Sequence, residues 1–113
     1  MDINAAPELV ERALAISDAV RRATHRHAFH RQIGAFVQLL ATIPDYAPRD
    51  FSSEAIAVLR TLAEGVIAHI EERLSTIGDS HRIRVDLAET VYDIRRALEE
   101  IDTWRRHYVD ECR

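Results

Sequence analysis

Three stretches of this chain carry apolar residues three and four positions apart, and within the first of them the apolar side switches. At about 100° per residue, Leu9, Ala13, Ile16, Val20 and Ala23 share one face of a helix. Phe29, Ile33, Phe36, Leu40 and Ile43 share a face on the opposite side. One straight helix with this pattern cannot bury both stripes in a single core. Either the chain bends or breaks near Thr24–His27, or its two halves pack against different partners, as dimerisation would allow.

The other two stretches are simpler. Ile56, Leu59, Ala63, Val66, Ile70, Leu74 and Ile77 line one helical face, and Leu87, Val91, Ile94, Leu98, Ile101 and Tyr108 line another. A capping-box-like Asp86-Leu87-Ala88-Glu89 offers a start for the last of them. Just before it, Arg82-Ile83-Arg84-Val85-Asp86 alternates polar and apolar, a short strand-like signal. Only three Gly and three Pro punctuate the chain. Pro7 suits a first helical turn, Pro44-Asp45-Tyr46-Ala47-Pro48 reads as a turn-rich connector, and Gly78 reads as a helix C-cap before a loop. The expectation is a single all-α domain over 1–113 with helices at 7–43, 52–77 and 86–110. An antiparallel hairpin plus a third helix, paired into a dimeric four-helix bundle, would bury both stripes of the first helix.

Composition narrows the partners. The 113 residues are 47% apolar and 30% charged, with a formal net charge of -4. A negative chain lacks the basic field that phosphate backbones require, so nucleic acid is not expected as a partner. No apolar run nears the ~18 residues of a membrane span. Met1-Asp2-Ile3-Asn4 has no basic stretch of the secretory kind, so no membrane association and a cytoplasmic location are expected. Cys112 is the single cysteine, which excludes an internal disulfide framework and a cysteine-built metal site. All fifteen basic residues are Arg, read here as a bias of composition.

The chemistry-bearing feature is His25-Arg26-His27-Ala28-Phe29-His30, which holds half of the six histidines. Free imidazole titrates near ~6.5, so histidine serves as nucleophile, ligand or switch at neutral pH. Relative to the Phe29–Ile43 stripe, His25 falls at the core edge, His30 on the flank and His27 towards solvent. The bland alternative is an Arg-rich polar surface that happens to contain histidine. A metal reading would use His27 and His30 with His69 or Glu72, yet no HExxH-like spacing supports three ligands. No metal and no cofactor are expected. Phosphotransfer needs an exposed histidine with a neutral ring nitrogen on a rigid helix, so that a partner's aspartate can approach in line. His27 meets that description, and Gly34-Ala35 thins the helix beyond it. Trp104, Tyr108 and Cys112 extend the third helix's apolar side, and the interleaved Arg and Glu residues around them read as a solvated face.

His27-Ala28-Phe29 with Ile33-Gly34-Ala35-Phe36 and Leu39-Leu40 resembles the H-box of the dimerisation and phosphoacceptor domain of sensor histidine kinases. It is also similar to the Val-Gly-Ala-Ile pattern that follows the phosphoaccepting histidine of bacterial histidine phosphotransferases. Ile70-Glu71-Glu72-Arg73-Leu74 with Gly78-Asp79 resembles the end of the second hairpin helix in one kinase subgroup. Val85-Asp86-Leu87-Ala88-Glu89 resembles the segment that opens its ATP-binding domain. The likeness spans roughly residues 20 to 98. The subgroup's H-box reads His-Arg-Val-Lys-Asn; His30-Arg31 matches its first two residues, whereas His27 keeps the apolar register. The subgroup's histidine at position 71 is Glu here. These 113 residues contain no Asn-box and no Gly-rich ATP lid, so kinase activity of the chain itself is not expected.

The resemblance implies a two-component signalling module: a histidine phosphotransfer or receiver-docking domain without its own kinase activity. It assigns His27 as phosphoacceptor, His30 as its rival and Arg31 as a partner for phosphate or carboxylate. The implied partners are a second copy of the chain and a response-regulator receiver domain or a partner kinase. The reading from another class is a non-enzymatic helical scaffold that binds a protein, and the third is a His-based metal-binding bundle.

Overall fold

A computed structural model describes residues 5–76 and 81–111. They form four α-helices: α1 (Ala5–Arg22), α2 (Arg26–Thr42), α3 (Ser53–Thr76) and α4 (His81–Glu111). No strand occurs among the described residues. The fold is all-α, as the four apolar stripes require.

The first stretch is two helices, not one spanning 7–43. α1 stops at Arg22 and α2 starts at Arg26, so the chain turns where the stripe changes sides. Leu9, Ala13 and Val20 from α1 and Phe29, Ile33, Phe36 and Leu40 from α2 are buried in the same core. The side switch is thereby resolved within one chain, and no second copy is needed to bury either half. Phe29 and Phe36 are 1% and 0% exposed. At roughly 1.5–3 kcal/mol for each fully buried large side chain, α2 supplies much of the drive for collapse.

The connector between α2 and α3 makes two single 3₁₀ turns, Ile43–Asp45 and Pro48–Asp50, each with proline at its start. Phe51 follows, 3% exposed, and packs edge-on to Trp104 of α4 at 5.6 Å between ring centroids. Ser52 then caps α3: its hydroxyl accepts the Ala55 amide at 3.0 Å, satisfying one of the helix's unpaired N-terminal donors.

α1 packs against α2 and α3, and α4 packs against the same two helices. α1 and α4 therefore stand diagonally, as do α2 and α3. Directions follow from pairs across the helices. Arg73, near the end of α3, donates to the carbonyl of Ala23, just past the end of α1, so these neighbours run parallel. α3 and α4 run antiparallel, joined by Arg60–Asp102 at 2.5 Å, Arg95–Glu71 at 3.6 Å and Arg105–Ser53 at 3.2 Å. Exposed ion pairs of this kind contribute at most about 1 kcal/mol each. The buried Ile56, Leu59, Ala63, Val66, Ile70 stripe against Leu87, Ile94, Leu98 and Ile101 carries the packing.

α4 begins at His81 rather than at the capping-box residues from 86, and the strand-like alternation at 82–86 is helical. Ile83 is the reason: half-buried against the core, it extends the Leu87–Ile101 stripe by one turn in the same register. Val85, which the alternation pairs with it, is exposed. The C-cap assigned to Gly78, the core position of Ile77 and the place of Cys112 lie outside the described residues, as does the side chain of Tyr108.

Candidate functional site

One end of the bundle gathers the ends of α1 and α3 and the starts of α2 and α4. α1 carries Arg21 and Arg22 in its last turn and α3 carries Arg73 in its own, which suits helix C-termini. α2 has no acidic residue in its first turn. The histidine cluster sits at this arginine-rich end.

His25 occupies the position before α2, with extended backbone at φ -92°, ψ 141°, and its side chain makes no cap hydrogen bond. It is exposed, not at the core edge. The helical projection that put it there fails because the helix has not yet begun. Its carbonyl accepts the Phe29 amide at 3.0 Å, the first bond of α2. The amides of Arg26, His27 and Ala28 precede that bond and have no acceptor within the helix.

His27 is exposed, as its position opposite the Phe29–Ile43 stripe predicts, and its side chain has no partner among the described residues. It lies in the first turn of α2, however, and not within one continuous helix over 7–43 as the periodicity predicts. His30 is half-buried on the flank and meets Phe29 edge-on at 6.3 Å between ring centroids. Its ring is thus partly occupied in packing. Arg31 is exposed and unpaired among the described residues.

His27, Arg31, Gly34 and Gln38 follow at steps of four, three and four and are all exposed. They form one solvent-facing ridge along α2. A side chain added at Gly34 would meet no atom within 4 Å, so the ridge is low at its middle. His27 and Arg31 share this ridge, and His30 leaves it.

Among the described residues no group of three His, Cys, Asp or Glu side chains is placed to hold a metal ion. His69 pairs with Glu72 at 3.9 Å and lines a cleft between α1 and α3 with Ser17 and Gly65. It stands on α3, the helix diagonal to α2.

Two features escape a reading of motifs. Arg73 reaches from α3 to the α1–α2 turn, where it donates to Ala23 and lies over the Phe29 ring, 4.3 Å from the centroid. A second cleft of about 570 Å³ opens between the starts of α1 and α3, lined in part by Val10, Glu11, Glu54 and Val58. Leu14, one turn past Val10, is 51% exposed, and Val58 is 39% exposed. Their sign in the sequence is that both are aliphatic residues lying off the apolar stripes of their helices. Among the described residues no helix is long and apolar enough to cross a membrane. Compared with family models, curated proteins and solved structures, the chain matches none.

Proposed function

We propose that this chain is a two-component signalling module in which His27 receives a phosphoryl group from, or passes it to, an aspartate of a receiver domain. The observation that carries this reading is an exposed imidazole sharing a ridge with the guanidinium of Arg31, both without a partner among the described residues. The unprotonated ring nitrogen of His27 attacks the phosphorus of an aspartyl phosphate. The P–O bond to the aspartyl oxygen breaks, the carboxylate leaves with the bonding pair, and the other ring nitrogen keeps its proton. The new phosphoryl lies in the first turn of α2, where free amides and the helix dipole favour negative charge. Arg31 supplies a guanidinium one turn on. The low ridge at Gly34 leaves room for the receiver's surface.

The test is a labelling experiment with a phosphorylated receiver or a small phosphoramidate donor. Acid-labile phosphate should appear on the wild type and on His30→Ala, and be absent from His27→Ala. Label that survives His27→Ala but is lost in His30→Ala moves the site to the rival residue. An unlabelled wild type under every donor sets the phosphotransfer reading aside.

A second reading is favoured by the cleft between α1 and α3: a non-enzymatic scaffold whose Leu14 and Val58 contact a protein, a second copy of the chain included. Under this reading Leu14→Glu disrupts association measured by light scattering or partner capture, and His27→Ala leaves it intact.

A further inference from the structure

We infer that Arg73 is a positioning residue for His27, holding the turn from which α2 starts; as regards catalysis, this rests on the phosphoacceptor reading above. The turn contains no residue that breaks a helix by its backbone. Ala23, Thr24 and His25 include neither Gly nor Pro, and no described residue has a positive φ. Alanine in particular favours continuing a helix. The switch of apolar side marks where the chain turns, and a contact from elsewhere in the fold holds the turn.

Arg73 is the group that reaches it. After Arg22, the Ala23 amide closes a tightened turn onto the Val20 carbonyl at 3.4 Å, leaving the Ala23 carbonyl outside the helix ladder. Arg73 Nη2 donates to that carbonyl. The same guanidinium covers the face of Phe29 at 4.3 Å. Phe29 is the residue whose amide makes the first bond of α2, and it is 1% exposed. One side chain thus grips the last carbonyl on the α1 side and the first core ring on the α2 side. His27 lies between them.

A planar guanidinium can donate in its plane and stack through its face at once, which an ammonium cannot. The nearest carboxylates in sequence are engaged elsewhere: Glu71 pairs with Arg95 and Glu72 with His69. The apolar stripe fixes which side of α2 His27 occupies, and the two contacts of Arg73 hold the start of the helix in that place.

The test compares wild type, Arg73→Gln and Arg73→Lys by residue-resolved amide hydrogen exchange and by phosphoryl transfer. Arg73→Gln should speed exchange at the Phe29 and His30 amides by about ten-fold, the worth of a charged hydrogen bond, over any change at Ile33–Leu40. Transfer at saturating donor should slow while the half-saturating donor concentration holds, and Arg73→Lys should recover part of both effects. Exchange that is unchanged, or that rises equally along the whole of α2, overturns the proposal. A wild type that takes no label overturns the phosphoacceptor reading instead, and the exchange data alone still decide whether Arg73 holds the turn.

Discussion

Trp104 donates its indole N–H to the carbonyl of Tyr46 at 3.0 Å, tying α4 to the connector across 58 positions of sequence. Phe51 packs edge-on to both rings. This aromatic group closes the end of the bundle opposite the histidines. Trp104→Phe should keep the ring packing, lose the bond and cost about 1 kcal/mol in urea unfolding followed by circular dichroism. Trp104→Ala should cost roughly 3–5 kcal/mol. Equal losses for the two variants would mean that the bond, not the ring, fastens this end.

Phe36, at 0% exposure, is among the largest fully buried side chains that α2 brings to the core. Phe36→Ala should lose roughly 3–5 kcal/mol, a large part of the 5–15 kcal/mol typical of a whole domain. The expected result is a steep drop in thermal midpoint. A shift of only a few degrees would place the core elsewhere.

Gly34 is an exposed position within α2, without positive φ and with open space where a methyl group would project. Gly34→Ala should therefore stabilise the protein by about 0.5–1 kcal/mol. If a receiver docks on the His27–Gln38 ridge, the same variant should weaken that binding while the fold improves. Gly65→Ala, in the cleft between α1 and α3, is the control: equally open, it should leave receiver binding alone. Matching losses of binding from both variants would argue against the ridge.

His27 is exposed and without side-chain partners among the described residues, so His27→Ala should change stability by no more than about 0.5 kcal/mol. Loss of phosphoryl acceptance in a variant this close to wild type in stability can then be assigned to chemistry. A destabilisation above about 1 kcal/mol would show that His27 holds structure instead.

Ser52→Ala should remove the cap at the start of α3 and cost about 1 kcal/mol. Chemical denaturation reads this directly. No effect would mean that water satisfies the Ala55 amide equally well.

The core is legible in the sequence because its signal is periodic. Leu9 to Val20, Phe29 to Ile43, Ile56 to Ile70 and Leu87 to Ile101 all follow helical spacing, and the clash between the first two stripes already marks the place of the turn. His27 is legible for the same reason, since exposure opposite a buried stripe is a matter of angle. His25 is not, because an angle means nothing for a residue outside the helix. The start of α4 is hidden because Asp86 and Glu89 mimic a cap while Ile83 continues the stripe. Arg73 leaves no trace near the histidines: its contact with Ala23 spans 50 positions, and only the packed fold brings the two together.

The parallel arrangement of α1 beside α3, and of α2 beside α4, has a consequence for how the chain assembles. α1 with α2, and α3 with α4, are each neighbours along the chain, so the molecule is two hairpins laid side by side, the same way up. Each hairpin needs only nearby residues to form, which favours fast early steps. Docking one hairpin on the other instead joins residues far apart in sequence, Arg73 with Ala23 and Trp104 with Tyr46 among them.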